Sequence, residues 1–357
     1  MTLLRILPAT ALAAALLAIL PATCADGAEA PPPPPPPGAQ QPPAPGADQP
    51  PDAPPPPPHA LKAPARPAAP PAGADLYRLP DDLRGPGGAL NQAAILAQQK
   101  ARAAVINERL GLRLKLQETT HYLLLSDAGG PLTDQFARWA EALYASLCRQ
   151  FDLSARERVW DGKCVLLLFA RRTSFEAYAR TFDGHDAREA GAYFAVETHA
   201  DADPRLIHMA IPLDQRDPRR LQELFAHEGT HALFELYRTP GRLPLWLHEG
   251  LAEYMTTVND PALVPAKWAG SVRIAGRPGP VRALLAAQPG EALSLDQYSA
   301  AYTLVDALLE SGRPKFRRLI HALKDGRTVD EALRDAYDLD TDGLLAAWRT
   351  HVRAKGM

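Results

Sequence analysis

Cysteine is scarce in this chain of 357 residues: there are three. Cys24 lies close to the amino terminus, so a processed chain keeps only Cys148 and Cys164, too few for a scaffold that depends on disulfides. One bridge between them and two buried thiols fit equally well. Cys164 opens the apolar run CVLLLFA, and Cys148 falls near the end of a helical pattern. Net charge is nearly absent too, at −2, which leaves no electrostatic footprint for nucleic acid or acidic lipid. Long apolar runs are also missing. Beyond the first twenty residues nothing approaches the roughly 18 apolar residues that a membrane span requires.

Proline is in excess, and unevenly so. Residues 31–80 hold more than half of the 37 prolines, with almost no large apolar side chain between them. Such a segment cannot bury enough surface to fold, and it reads as a disordered, polyproline-like spacer over 26–80. Ahead of it, MTLLRILPATALAAALLAILPATCADGA has one Arg, an apolar run from Ile6 to Leu20 and then small residues. These are the three parts of a secretory signal peptide over 1–25, cleaved near Ala25. Pro21 and Thr23 fit poorly the lipobox that lipid attachment at Cys24 would need. The expectation is therefore a secreted or periplasmic protein, with the spacer a possible tether to envelope or cell-wall partners.

The foldable part alternates before it turns helical. Asn91–Leu110 has apolar residues at helical spacing and good helix formers, so 81–111 reads as a leading helix with its approach. From residue 112 to 357 one domain is expected. LRLKLQETTHYLLLSD predicts one or two strands and Thr133–Phe151 an amphipathic helix, with Phe136, Trp139, Leu143 and Leu147 on one side. KCVLLLFA, AGAYFAVE and RLIHMAIP predict further strands, with a short helix over Ser174–Thr181. Asp217-Pro218 is a helix start running to about Tyr237, and Pro240, Gly241 and Pro244 break it before a second helix to about Thr257. More helices are expected over Gln297–Glu310, Pro314–Lys324, Val329–Tyr337 and Thr341–Arg353. The fold class is α+β: a small twisted sheet with packed helices, followed by a helical half.

The pair His-Glu occurs twice, in HEGTH at 227–231 and again at 248–249. His227 and His231 are one helical turn apart on one face, so both rings can hold one Zn2+. Glu228 points about 100° away, beside the open coordination position, where it can take a proton from a water molecule on the metal. A catalytic zinc needs a third protein ligand. His248 and Glu249 also diverge by about 100°, so only one of them faces the histidines. Periodicity favours Glu249, because Glu253 then follows on the same stripe to support a ligand imidazole from behind. His248 is left to solvent or to the rim, and remains the other candidate ligand.

HEGTH followed by WLHEGLAEY resembles the gluzincin metallopeptidases, most of all their peptidase MA-like branch. The resemblance covers roughly 115–355. It implies a zincin-like fold, one zinc ion on His227, His231 and Glu249, Glu228 as the base, and a peptide or protein substrate. The interval from His231 to Glu249 is slightly shorter than in thermolysin and the zinc aminopeptidases. In the family a tyrosine on a later helix donates to the oxyanion, and YSAAYTLVDAL is similar to that segment, with Tyr298 at the matching position. Gly191–Phe194 is the candidate edge strand for an extended peptide. Two rivals stand beside this reading: a non-catalytic, zinc-stabilised binding module, and a zinc hydrolase of a non-peptide amide.

Overall fold

Successive side chains of a strand point to opposite faces of its sheet, so a strand that is apolar throughout must be covered on both sides. Tyr122–Ser126 (β3), Cys164–Phe169 (β4) and Leu206–Pro212 (β6) come close to this, with Ser126 and His208 as polar exceptions, and are buried along their whole lengths. The computed structural model describes residues 2–5, 83, 88–154, 159–197, 206–214, 217–239 and 241–355. The proline-rich segment and all but four residues of the expected leader lie outside the described residues. Lys115–Glu118 (β2) and Tyr193–Glu197 (β5) complete the strands of the folded part. Thr2–Arg5 (β1), within the expected leader, pairs antiparallel with β5, giving the order β1-β5-β6-β4-β3-β2. Removal of the leader would leave five strands, with β5 at the edge.

The strands β3, β4 and β6 run parallel, and β2 and β5 flank them antiparallel. One face of the sheet carries Leu124, Leu166, Phe194 and Met209 into the larger core. The other carries Leu125, Val165, Tyr193 and Ala210 into a smaller one. Helices Gln92–Leu110 (α1) and Arg172–Tyr178 (α3) cover the smaller core, the latter continuing as a π-type turn over Ala179–Asp183. Gly130–Phe151 (α2) lies on the larger one, starting earlier than its apolar stripe because Pro131 suits a first turn. Trp139, expected on the buried stripe of α2, is only partly buried, and Ala140 and Tyr144 take the inner positions.

The leading helix is built into the domain. Asn91 caps it by accepting from the Ala94 N–H at 3.1 Å. Gln99 exchanges two hydrogen bonds with the Lys163 backbone, at 2.7 and 3.0 Å, just ahead of β4. Ile95 and Ile106 are buried beneath.

The rest of the chain is helical: Pro218–Leu236 (α4), Leu245–Asn259 (α5), Val264–Ala275 (α6), Pro278–Ala286 (α7), Leu295–Glu310 (α8), Arg313–Lys324 (α9), Val329–Tyr337 (α10) and Thr341–Lys355 (α11). Asp217 caps α4 through the Arg219 N–H, as its sequence position predicts. At the other end the buried ammonium of Lys324 donates to the Phe234 and Glu235 carbonyls, at 2.7 and 3.0 Å, which satisfies the end of α4 and fixes the turn into α5. Helices α6 and α7 were not predicted. They matter because α6 is pinned to α8: Gly270 lies against Ser299, and Ser271 Oγ is 2.9 Å from Thr303 Oγ1, to which Trp348 of α11 donates at 2.8 Å.

Candidate metal centre

The site lies where α4 and α5 face each other. Glycine lets a further helix close in behind each of them, α2 behind α4 and α8 behind α5. A Cβ on Gly229 would come within 2.6 Å of Leu143, and one on Gly250 would collide with the Ala301 carbonyl of α8. Leu245 through Glu253 are all buried, since α4 and α8 enclose α5. His227 and His231, one turn apart on α4, bring their Nε2 atoms to 3.1 Å. Glu249 of α5 closes the group, its Oε2 lying 3.6 Å from His227 Nε2 and 3.5 Å from His231 Nε2.

Those three separations are close to those of ligands around one small cation, the two histidine nitrogens lying slightly nearer together. Zinc at about 2.0–2.2 Å from each of three tetrahedral ligands sets them about 3.3–3.6 Å apart. The donor set, two imidazoles and a carboxylate, suits zinc. Burial also favours a cation there. Both Glu249 oxygens are shut off from water with no hydrogen-bond partner, and so is His227 Nδ1. Leaving such groups unpaired is costly.

Electrostatics points the same way. Burial alone would push the Glu249 carboxyl up, but the charges of His231 and His227 outweigh it and hold the group well below the usual carboxylate range. Burial alone would push His227 down, but Glu249, Glu253 and Glu228 lift it to about 9. The cluster therefore draws positive charge into the space among its atoms. Glu228 is different: burial, aided by Glu249 and opposed by His227, raises its carboxyl to about 8. A carboxylate raised towards neutrality is the kind of group that accepts and returns a proton.

Around this centre the structure places the other candidates unequally. Tyr298, half-buried at the start of α8, is close enough for the charges of Glu249, Glu253 and Glu228 to raise its hydroxyl, after burial itself. Tyr302, one turn on, stacks on Tyr254 at 6.1 Å and interacts with Thr257 and Trp268. Glu253 Oε1 is 3.7 Å from His227 Nδ1, an ion-pair separation longer than a hydrogen bond. His248 departs from expectation. It is buried, and its ring lies over that of His231 with centroids 4.1 Å apart. An α5 enclosed on both flanks has no wet face for a 100° turn to reach. His248 is not part of the group of converging ligand atoms, which is His227, His231 and Glu249. Phe194 of β5 packs towards His231, its ring 6.3 Å away. One residue had no signal in the sequence: Lys267, on the unpredicted α6, forms an ion pair with Glu253. Cys148 and Cys164 are free thiols.

Residues 222–354 match the Peptidase MA superfamily. The Peptidase MA segment begins five residues before His227, contains His227, His231 and Glu249 with Glu228, Glu253 and Tyr298, and leaves the sheet outside. The likeness of HEGTH and WLHEGLAEY to that group thus extends over the helical half. No curated protein matches the chain. Among solved structures, the M1 zinc metallopeptidase from Deinococcus radiodurans is similar at 15% identity and a TM-score of 0.33, over 68% of this chain and 49% of that one. The chain spans about half the length of that protein.

Proposed function

We propose that this chain is a zinc-dependent peptidase of gluzincin type, exported by a cleaved leader. The observation that carries the reading is the convergence of His227 Nε2, His231 Nε2 and Glu249 Oε2 within 3.6 Å of one another, beside Glu228. Zinc bound by those three side chains would supply Lewis acidity, polarising the scissile carbonyl and making water a better nucleophile at neutral pH. Glu228 accepts the proton of the attacking water and hands it to the leaving amine. Tyr298 donates its hydroxyl hydrogen to the oxygen that becomes negative as water adds, a bond that strengthens only as the charge develops. Loss of the leader opens the outer edge of β5, whose backbone N–H and C=O groups suit an extended peptide. The Peptidase MA match supports a protein or peptide substrate.

Glu228→Gln tests the reading, because it keeps size and helix propensity while removing the base. The purified variant should bind one zinc per chain, as the wild type does, and unfold at the same midpoint. Its chelator-sensitive cleavage of a mixed pool of unfolded peptides should fall by roughly a hundred- to ten-thousand-fold. A wild type that binds zinc but releases no new amino termini from any pool would instead indicate a binding module, and equal cleavage by both proteins would place the base elsewhere.

A further inference from the structure

Three carboxylates meet in the buried centre: Glu228, Glu249 and Glu253. A dication offsets two of those charges. The third has a partner of its own in Lys267, whose side chain is only 13% exposed and whose ammonium pairs with Glu253 Oε2. The other oxygen of the same carboxylate, Oε1, faces Nδ1 of the ligand His227. One carboxylate is thus held between a lysine and a metal-binding imidazole.

Lys267 is not free to wander. Its helix, α6, is locked to α8 one turn further along by the Gly270–Ser299 approach and the Ser271–Thr303 hydrogen bond, and the Arg273–Asp296 ion pair adds a third tie. The helix that fixes Lys267 is therefore also the helix that carries Tyr298. Glu253, by contrast, is on α5 with Glu249. We infer that Lys267 is a positioning residue for the metal centre: by holding Glu253 Oε2 it orients Oε1 towards His227 Nδ1, which sets the ring that presents Nε2, and it balances the charge that the dication does not. Groups that orient a ligand imidazole from behind are usually worth roughly ten- to a hundredfold in metal affinity.

This inference rests on the zinc reading above, and the test separates the two. Zinc is removed from the whole chain, and its return is followed by competition with a chromophoric chelator. Lys267→Met, which keeps the aliphatic stem, should lose roughly ten- to a hundredfold in zinc affinity, while Lys267→Arg should stay within about threefold of wild type on the same scale. Cobalt(II) loaded in place of zinc should give the wild-type visible spectrum in the Arg variant and an altered one in the Met variant. In a Glu253→Gln background, Lys267→Met should have almost no further effect on affinity, since the two residues act as one unit. Should the Met variant fail to fold, the same comparison is made with Lys267→Gln. Unchanged affinity and cobalt spectrum in the neutral variant, or an equal loss with and without Glu253, would overturn the inference while leaving the metal centre standing. A wild type that takes up no zinc would overturn both.

Discussion

At the scale of single residues, two tyrosines one turn apart on α8 have the same chemistry and different surroundings. Tyr298 feels three site carboxylates, whereas Tyr302 is stacked on Tyr254 and turned towards Thr257 and Trp268. Tyr298→Phe should therefore lower kcat by about a hundredfold with zinc content and unfolding midpoint unchanged, the loss expected for one oxyanion donor. Tyr302→Phe should keep kcat and cost about 0.5–1.5 kcal/mol in denaturant unfolding, the worth of a lost hydrogen bond. If the two effects are exchanged, the roles are exchanged. The resemblance picks out Tyr298, but helix periodicity alone does not choose between the two tyrosines, because the choice depends on how α8 is rotated against α5. The candidate ligands were legible for the opposite reason. His227, His231 and Glu249 are tied by helix periodicity and one short turn, both local.

At the scale of elements, the site depends on how closely α5 can approach α8. Gly250 has no room for a methyl group, with the Ala301 carbonyl and Val305 Cγ2 in its way, the latter at 2.7 Å. Gly250→Ala should cost about 1–3 kcal/mol in urea unfolding by overpacking and weaken zinc binding in step, since Glu249 is its neighbour. Gly276→Ala is the contrasting case. That residue has open space around it and φ −75, so alanine should stabilise the chain by about 0.4–1 kcal/mol. Equal midpoints for the two variants would show that helix approach is not what Gly250 provides. Element boundaries were readable where a cap marks them, as with Asp217 on α4. They were not readable for α6, whose buried positions are Gly270, Ser271, Ile274 and Ala275 and make no large apolar stripe. With α6 went Lys267. The expectation of a solvated His248 fails because a periodic pattern implies one wet face, and α5 has none.

At the scale of the whole molecule, the amino-terminal third divides into a part the fold needs and a part without apolar pattern. The Leu83 carbonyl accepts from the Asn91 N–H at 2.7 Å, and Leu83 packs with Ile95 and Leu206, so the core reaches back at least that far. A chain starting at Leu76 should unfold cooperatively at the full-length midpoint and bind zinc equally well. A chain starting at Leu112 loses α1 with Ile95 and Ile106, each worth about 1.5–3 kcal/mol when buried, and should unfold at a markedly lower midpoint. Failure of the longer chain would make the proline-rich segment part of the fold. Order along the chain has a further consequence, for time rather than space. Trp348, nine residues from the end, donates to Thr303, Thr303 meets Ser271, and Ser271 belongs to the helix that carries Lys267. On the ribosome the sheet and the ligand-bearing helices are finished long before that brace exists. A nascent chain therefore carries His227, His231 and Glu249 for some time before the helix that holds Lys267 is braced. On the zinc reading proposed above, a chain stopped before Trp348 would keep His227, His231 and Glu249 and should bind zinc more weakly than the full chain, for want of the brace behind Lys267.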